Sequence, residues 1–232
     1  MASLLSKILG KFINIRDVLA ENGWVVADEH SPRWWGGLET PDEVFISAIL
    51  VQQTRWRIVE NVINRLRALG LNKLEKLANM DPGELAHVIK GVNFRYVKAR
   101  RLIEASRAVA SIGGLGELAR RSDYREFLMG IRGIGPETAD SIALYALNKY
   151  TIPVSAYTRR VLGRVLGLDE ELGYEDYRAM LLGNIPRGLF NLKLFHAGMV
   201  TVGKVWCGSR NTKCGECPLR DLCNRFKGVG GP

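Results

Sequence analysis

At 232 residues, with 47% hydrophobic and 25% charged side chains, the chain has the make-up of a globular protein large enough to bury a core, in one or two domains. Thirty-three Lys and Arg against 24 Asp and Glu leave a formal charge of +9, which favours an anionic partner, either nucleic acid or an acidic membrane surface. No run approaches the roughly 18 apolar residues of a membrane span, and the 25 glycines follow no collagen-like period, so membrane-spanning and fibrous classes are excluded.

In chain order, Leu4, Leu5, Ile8, Leu9, Phe12 and Ile15 are interrupted at helical spacing by Lys7, Lys11 and Arg16. That pattern predicts an amphipathic helix facing a core rather than a secretion signal, and with it a cytoplasmic, nucleoid-associated protein. Thr40-Pro41-Asp42-Glu43 offers an N-cap, a proline at the first helical position and a capping-box glutamate ahead of the apolar run 44–51. Asp81-Pro82-Gly83-Glu84 repeats the same grammar before another helix. The segment 95–101 reads as a basic helix face with an interleaved tyrosine. Turns are signalled at Gly36-Gly37, Gly113-Gly114 and Gly133 to Gly135, and nothing alternates long enough to build a sheet, so the fold is expected to be all-α. His30, His87 and His196 are dispersed without metal-ligand spacing, and 228–232 reads as a disordered tail.

Two segments carry chemistry. The first is Arg132-Gly133-Ile134-Gly135, a turn between the helix that ends near Met129 and one that begins at Pro136. Glycines there let backbone approach a ligand closely, and the unpaired N–H groups and positive dipole end of a starting helix make an anion site that fits a duplex phosphate. The second is the cysteine cluster: all four cysteines fall within 17 residues as Cys207-x6-Cys214-x2-Cys217-x5-Cys223. Such clustering favours a thiolate metal site over disulfides, and both zinc and a 4Fe-4S cluster take four thiolates. Arg210, Lys213, Arg220, Arg225 and Lys227 surround the cysteines as a basic surface suited to phosphates.

The six, two, five cysteine spacing, with Pro218 in its last loop, is similar to the iron-sulfur loop of the endonuclease III group of DNA glycosylases, and segment 128–140 resembles the helix-hairpin-helix motif of the same superfamily. The resemblance covers about 34 to 223. It implies an all-α, bilobed helix-hairpin-helix DNA glycosylase fold with a C-terminal 4Fe-4S cluster loop. A six-helix barrel lobe at 34–150 would carry the hairpin, a second lobe would combine 1–33 with 151–227, and the active-site cleft would lie between them. It also implies a structural 4Fe-4S cluster on Cys207, Cys214, Cys217 and Cys223, in preference to zinc.

The catalytic Asp of that superfamily falls on Ser155, within Ile152-Pro153-Val154-Ser155-Ala156-Tyr157, so the resemblance implies a slow, inactive or altered form. Ser155 is equally suited to be a plain helix N-cap. Asp140 is the nearest substitute acid, although a salt-bridge partner is its more ordinary role. The position of the family's nucleophilic Lys holds Glu137, which implies a monofunctional enzyme that uses water. Trp34-Trp35, Gln52-Gln53-Thr54-Arg55-Trp56 and Gly135-Pro136-Glu137-Thr138-Ala139-Asp140 look most like the 3-methyladenine DNA glycosylase III branch, which implies excision of alkylated purines. In that reading Trp34, Trp35 and Trp56 are pocket walls, with hydrophobic core as the alternative for each. Lys204 resembles a pocket-edge lysine, and Gln52 the residue that fills the gap left by a flipped nucleotide. Arg132, Gly133, Ile134, Gly135, Arg210 and Lys213 are the expected contacts to double-stranded DNA, bound by a monomer. The competing readings are a pyrimidine- or mismatch-directed glycosylase of the same fold and a catalytically silent damage-binding protein.

Overall fold

The computed structural model describes residues 1–169 and 171–228, without the side chains of Lys227 and Gly228. Among the described residues the chain is helical, with one isolated antiparallel bridge between Cys207 and Thr212 and no strand, as the turn signals and missing alternation predicted. No helix among them is long and apolar enough to cross a membrane. The expected tail lies, beyond Gly228, outside the described residues; Gly228 itself closes the last helix. The chain divides into two compact units, one of residues 1–29 with the segment from Tyr150 onward, the other of His30–Lys149.

The first unit contains α1 (Ala2–Ile13), α2 (Arg16–Glu21), α11 (Ala156–Leu166), α12 (Tyr174–Asn184), α13 (Leu189–Val205) and α14 (Asn224–Gly228). Helix α1 buries Leu5, Ile8, Leu9 and Phe12, the stripe its spacing predicts. It packs on α13, which is buried along most of its length because apolar residues surround it on all sides. Two of the ionisable groups inside that helix, His196 and Lys193, are neutralised or paired, while Thr201 Oγ1 is buried without a partner among the described residues. Burial pushes the His196 imidazole down to about 3, so the ring is neutral and meets Trp24 edge-on at 5.4 Å. The fully buried Lys193 donates to Glu29 O at 2.6 Å. Phe12 lies across Gly198, where an added Cβ would stand 2.2 Å from the ring. Gly198→Ala is therefore expected to lower stability by about 1–2 kcal/mol in denaturant unfolding, because overpacking outweighs the better helix propensity of alanine.

The second unit contains α3 (Pro41–Leu50), α4 (Trp56–Ala68), α5 (Leu74–Leu77), α6 (Pro82–Val88), α7 (Arg95–Ser111), α8 (Leu115–Arg120), α9 (Tyr124–Gly130) and α10 (Pro136–Tyr145). The capping box at Thr40 forms as read: its hydroxyl accepts from Glu43 N at 3.2 Å while the Glu43 carboxylate takes the Thr40 N–H. Glu43 has no exposed surface. Burial raises its pKa, but hydrogen bonds from Arg67, Asn72 and Glu39 N–H outweigh that and hold it at about 2, so it stays a carboxylate anchoring α3 to α4. Helix α7 is flanked by α5 and α6 and also meets α3, while α10 packs on α3 and α9. These contacts place the C-terminal end of α3, the start of α7 and the α9–α10 turn together.

Candidate functional site

Helix α9, the turn and α10 are arranged as two helices joined by a tight glycine hairpin, with Pro136 at the first position of α10. Gly133 takes φ +91°, a conformation open to glycine, and Arg101 of α7 lies where its side chain would be, 2.6 Å from an ideal Cβ. The Gly133 and Gly135 N–H groups meet no carbonyl among the described residues, and Arg132, Gly135 and Glu137 are exposed. Ile134 differs from expectation. Its side chain is 5% exposed and its N–H is engaged by Ile131 O at 3.0 Å, because closing the turn uses that donor. The donors that the turn leaves open are thus those of the two glycines.

Gln52 also departs from its expected role. Its Nε2 donates to Gly133 O at 3.1 Å and to Thr138 Oγ1 at 3.2 Å, bracing the hairpin from behind, so its amide is not presented to a ligand. The neighbouring Gln53 is the exposed one, held at φ +53°; Phe94, at φ +56°, is 66% exposed. Two non-glycine residues in left-handed backbone, each strained by about 1 kcal/mol or more, need surrounding bonds to keep them there. Asn93 supplies one by donating to Gln53 O at 2.6 Å, and Lys98 supplies others by donating to Leu50 O at 2.7 Å, to Gln52 O and to Thr54 Oγ1 at 2.9 Å. Lys98 is 4% exposed, and its burial, with Arg101 nearby, pushes its pKa down to about 8. The basic-face reading of 95–101 missed this inward lysine. The signal was present, since Lys98, Leu102, Ala105 and Val109 share one stripe of α7.

Among the expected catalytic residues, Asp140 is found in a salt bridge, the more ordinary role named for it. It has no exposed surface, and both carboxylate oxygens face Arg125 of α9, at 3.0 and 3.1 Å. It ties the two hairpin helices together. Trp34 has no exposed surface and Trp35 is 8% exposed, tilted against Tyr145 at 5.0 Å, so core, the alternative named for each, is what the structure shows. A one-turn 3-10 helix at Pro32–Trp34 turns them inward. Trp56 keeps a partly exposed ring, laid on Gly36 where an added Cβ would come within 1.7 Å of it.

In the first unit Ser155 is the N-cap of α11: its Oγ accepts from Thr158 N at 3.2 Å and lies 3.0 Å from Thr158 Oγ1. Lys204 is exposed in the last turn of α13, beside Gly203, against which Tyr157 packs. Helix α11 leads from Ser155 to the cysteine loop. There Arg160 donates to Cys207 O at 2.8 Å and Gly203 O at 2.9 Å, and Arg164 donates to Gly208 O at 2.7 Å and toward Cys207 Sγ at 3.3 Å. The four cysteines are unbridged and line one cavity of about 260 Å³ with Arg164, Trp206 and Arg220. Among the described residues no group of three or more His, Cys, Asp or Glu side chains is arranged to hold a metal ion. The cavity is larger than one ion requires, and burial together with the other three thiols pushes Cys217 up to about 11. Four thiolates can share that space only around a cationic centre. Four cysteines around one cavity are a donor set that either a multi-iron cluster or a zinc ion takes. Arg210, Lys213, Arg220 and Arg225 are exposed on and beside the loop; the Lys227 side chain lies outside the described residues.

A glycine hairpin opening on a helix start, within an all-α chain, defines a helix-hairpin-helix protein. The sequence pattern of the HhH-GPD superfamily of base excision DNA repair proteins matches residues 46–187, more than half of the chain, and the chain belongs to that superfamily. A protein of Methanocaldococcus jannaschii named as a DNA repair glycosylase is 33% identical over 204 residues, 86% of this chain and 92% of its own. Endonuclease III of Thermotoga maritima is 29% identical over 191 residues, 82% of this chain and 85% of its own. Among solved structures, the H. pylori 3-methyladenine DNA glycosylase bound to 1,N6-ethenoadenine has the same fold, with a TM-score of 0.72 at 23% identity over 88% of this chain and 98% of its own. A thermostable thymine-DNA glycosylase reaches 0.76 at 19% identity over 97% of this chain and 98% of its own.

Proposed function

We propose that the protein is a monofunctional DNA glycosylase that turns an alkylated purine out of duplex DNA and hydrolyses its N-glycosidic bond with water. The observation that carries this reading is the braced hairpin, whose Gly133 and Gly135 N–H groups are open to a phosphate. Arg132, Arg210 and Lys213 add sequence-independent attraction to the backbone. An extruded base leaves a hole in the stack, and exposed side chains on rigid supports are suited to fill it. Gln53 and Phe94 take those roles, in place of Gln52. Trp56 supplies an aromatic face for the base.

The substrate class follows from what the chain lacks at two positions. An N3- or N7-alkylpurine is already cationic, so it stacks on electron-rich rings and leaves without prior protonation. Such chemistry tolerates a serine at 155, whose hydroxyl orients water, and Glu137 where an amine would make a covalent intermediate. Cys207, Cys214, Cys217 and Cys223 hold a 4Fe-4S cluster, with zinc as the alternative; when bound, it supplies charge neutralisation for the thiolates and stiffness for the basic loop. The protein acts as a monomer on nucleoid DNA.

The test is incubation with duplexes carrying 3-methyladenine, 7-methylguanine, thymine glycol or a T:G mismatch, followed by alkali. Abasic product from the alkylpurine duplexes, with strand breaks only after alkali, is the expected result. Product from thymine glycol or T:G alone would transfer the enzyme to pyrimidine substrates. No product from any duplex, even with Ser155→Asp, would leave a damage-binding protein, the reading that the uncharged Ser155 favours.

A further inference from the structure

We propose that Arg101 is a phosphate-binding residue of the hairpin, its guanidinium and the Gly133 and Gly135 N–H groups gripping the same DNA backbone phosphate. This deepens the reading of the hairpin as the DNA-contacting turn and rests on it. The contact is close: an ideal Cβ at Gly133 would stand 2.6 Å from Arg101 Cδ, 2.9 Å from Nε and 3.3 Å from Cζ, so the guanidinium lies directly against the turn. Its Nε is buried with no hydrogen-bond partner, and the side chain makes no hydrogen bond or ion pair among the described residues.

Among the described residues no ion pair or hydrogen bond offsets that charge. The other cation facing it is Lys98, one turn earlier on α7, and the two repel. Lys98 is already satisfied by Leu50 O, Gln52 O and Thr54 Oγ1, and the Gly133 carbonyl accepts from Gln52 rather than from Arg101. A guanidinium whose Nε is packed on the turn, with a like charge nearby and two open backbone N–H groups beside it, offers its terminal N–H groups to a ligand with several anionic oxygens. A backbone phosphate has that form. Arg101 is also held in place before DNA arrives, since its stem fills the space that glycine leaves, which lowers the ordering cost of binding.

The experiment measures binding of the full-length protein to an undamaged duplex as a function of salt. Arg101→Met keeps the packed stem and removes the charge. It is expected to weaken binding about tenfold near 0.15 M salt and to reduce the slope of log K against log[salt] by about 1, with the melting temperature nearly unchanged. Arg101→Lys should restore the slope while recovering only part of the affinity, because it keeps the charge without the fork. In the unmodified protein, the Arg101 Nε–H resonance should shift when a short duplex is added, a readout that needs no variant to fold. An unchanged slope in a folded Arg101→Met, or an Arg101 resonance that does not move while the protein binds DNA, overturns the proposal. Absence of any salt-dependent DNA binding by the unmodified protein would instead overturn the hairpin reading beneath it.

Discussion

Ser155→Asp is expected to raise the single-turnover rate of base excision about a hundredfold while leaving stability within about 0.5 kcal/mol of the unmodified protein. The two halves of that expectation have different physical origins. Ser155 caps α11 through an oxygen that accepts from Thr158 N, and aspartate offers an oxygen at a similar reach and is an equally good N-cap. The positive end of the α11 dipole favours the added charge. Bond cleavage builds positive charge on the deoxyribose, and a nearby fixed carboxylate stabilises that state more than the ground state. An uncharged serine hydroxyl supplies no such field. Rates on a 3-methyladenine duplex, with thermal unfolding in parallel, decide the matter: equal rates for the two proteins would show that position 155 carries no electrostatic part of the reaction.

Asp140→Ala is expected to cost about 3–5 kcal/mol, lowering the melting temperature by about 10 °C. The carboxylate has no exposed surface and faces Arg125, whose side chain is 13% exposed, so its removal leaves a largely buried guanidinium opposite an emptied position. The pair joins α9 to α10, and the loss should loosen the hairpin and weaken DNA binding along with stability. Replacing both partners by apolar residues, as in Arg125→Met with Asp140→Leu, should recover most of the loss, since a matched apolar pair carries no unpaired charge. A stable Asp140→Ala protein whose excision rate collapses would return the residue to a catalytic role.

The features legible in the chain are those whose cause lies within a few residues. The Thr40 capping box, the Asp81 cap that accepts from Gly83 N and Glu84 N, Pro136 opening α10 and the stripe of α1 all appear where their local patterns put them. Ser155 as an N-cap belongs to the same group. The pieces of the candidate site were also legible, because the glycine hairpin and the clustered cysteines are each contiguous or nearly so.

What each polar or aromatic side chain faces was not legible. Gln52 meets Gly133 across 81 positions, and Lys98 meets Leu50 across 48. The same composition admits an exposed or a buried partner until the helices pack. The tryptophan pair shows the reverse error: ring chemistry is suited to a base pocket, yet the local turn at Pro32–Trp34 and the ring of Tyr145 draw Trp34 and Trp35 into the core. Helix positions, the hairpin and the thiol cluster were set by the amino-acid order alone, because caps, prolines and glycines act through dihedral angles and neighbouring donors. Which of two adjacent glutamines faces outward, which lysine turns inward and which arginine is left without an acceptor were settled only by packing, because a buried charge takes its partner from whatever distant backbone the fold brings within about 3 Å.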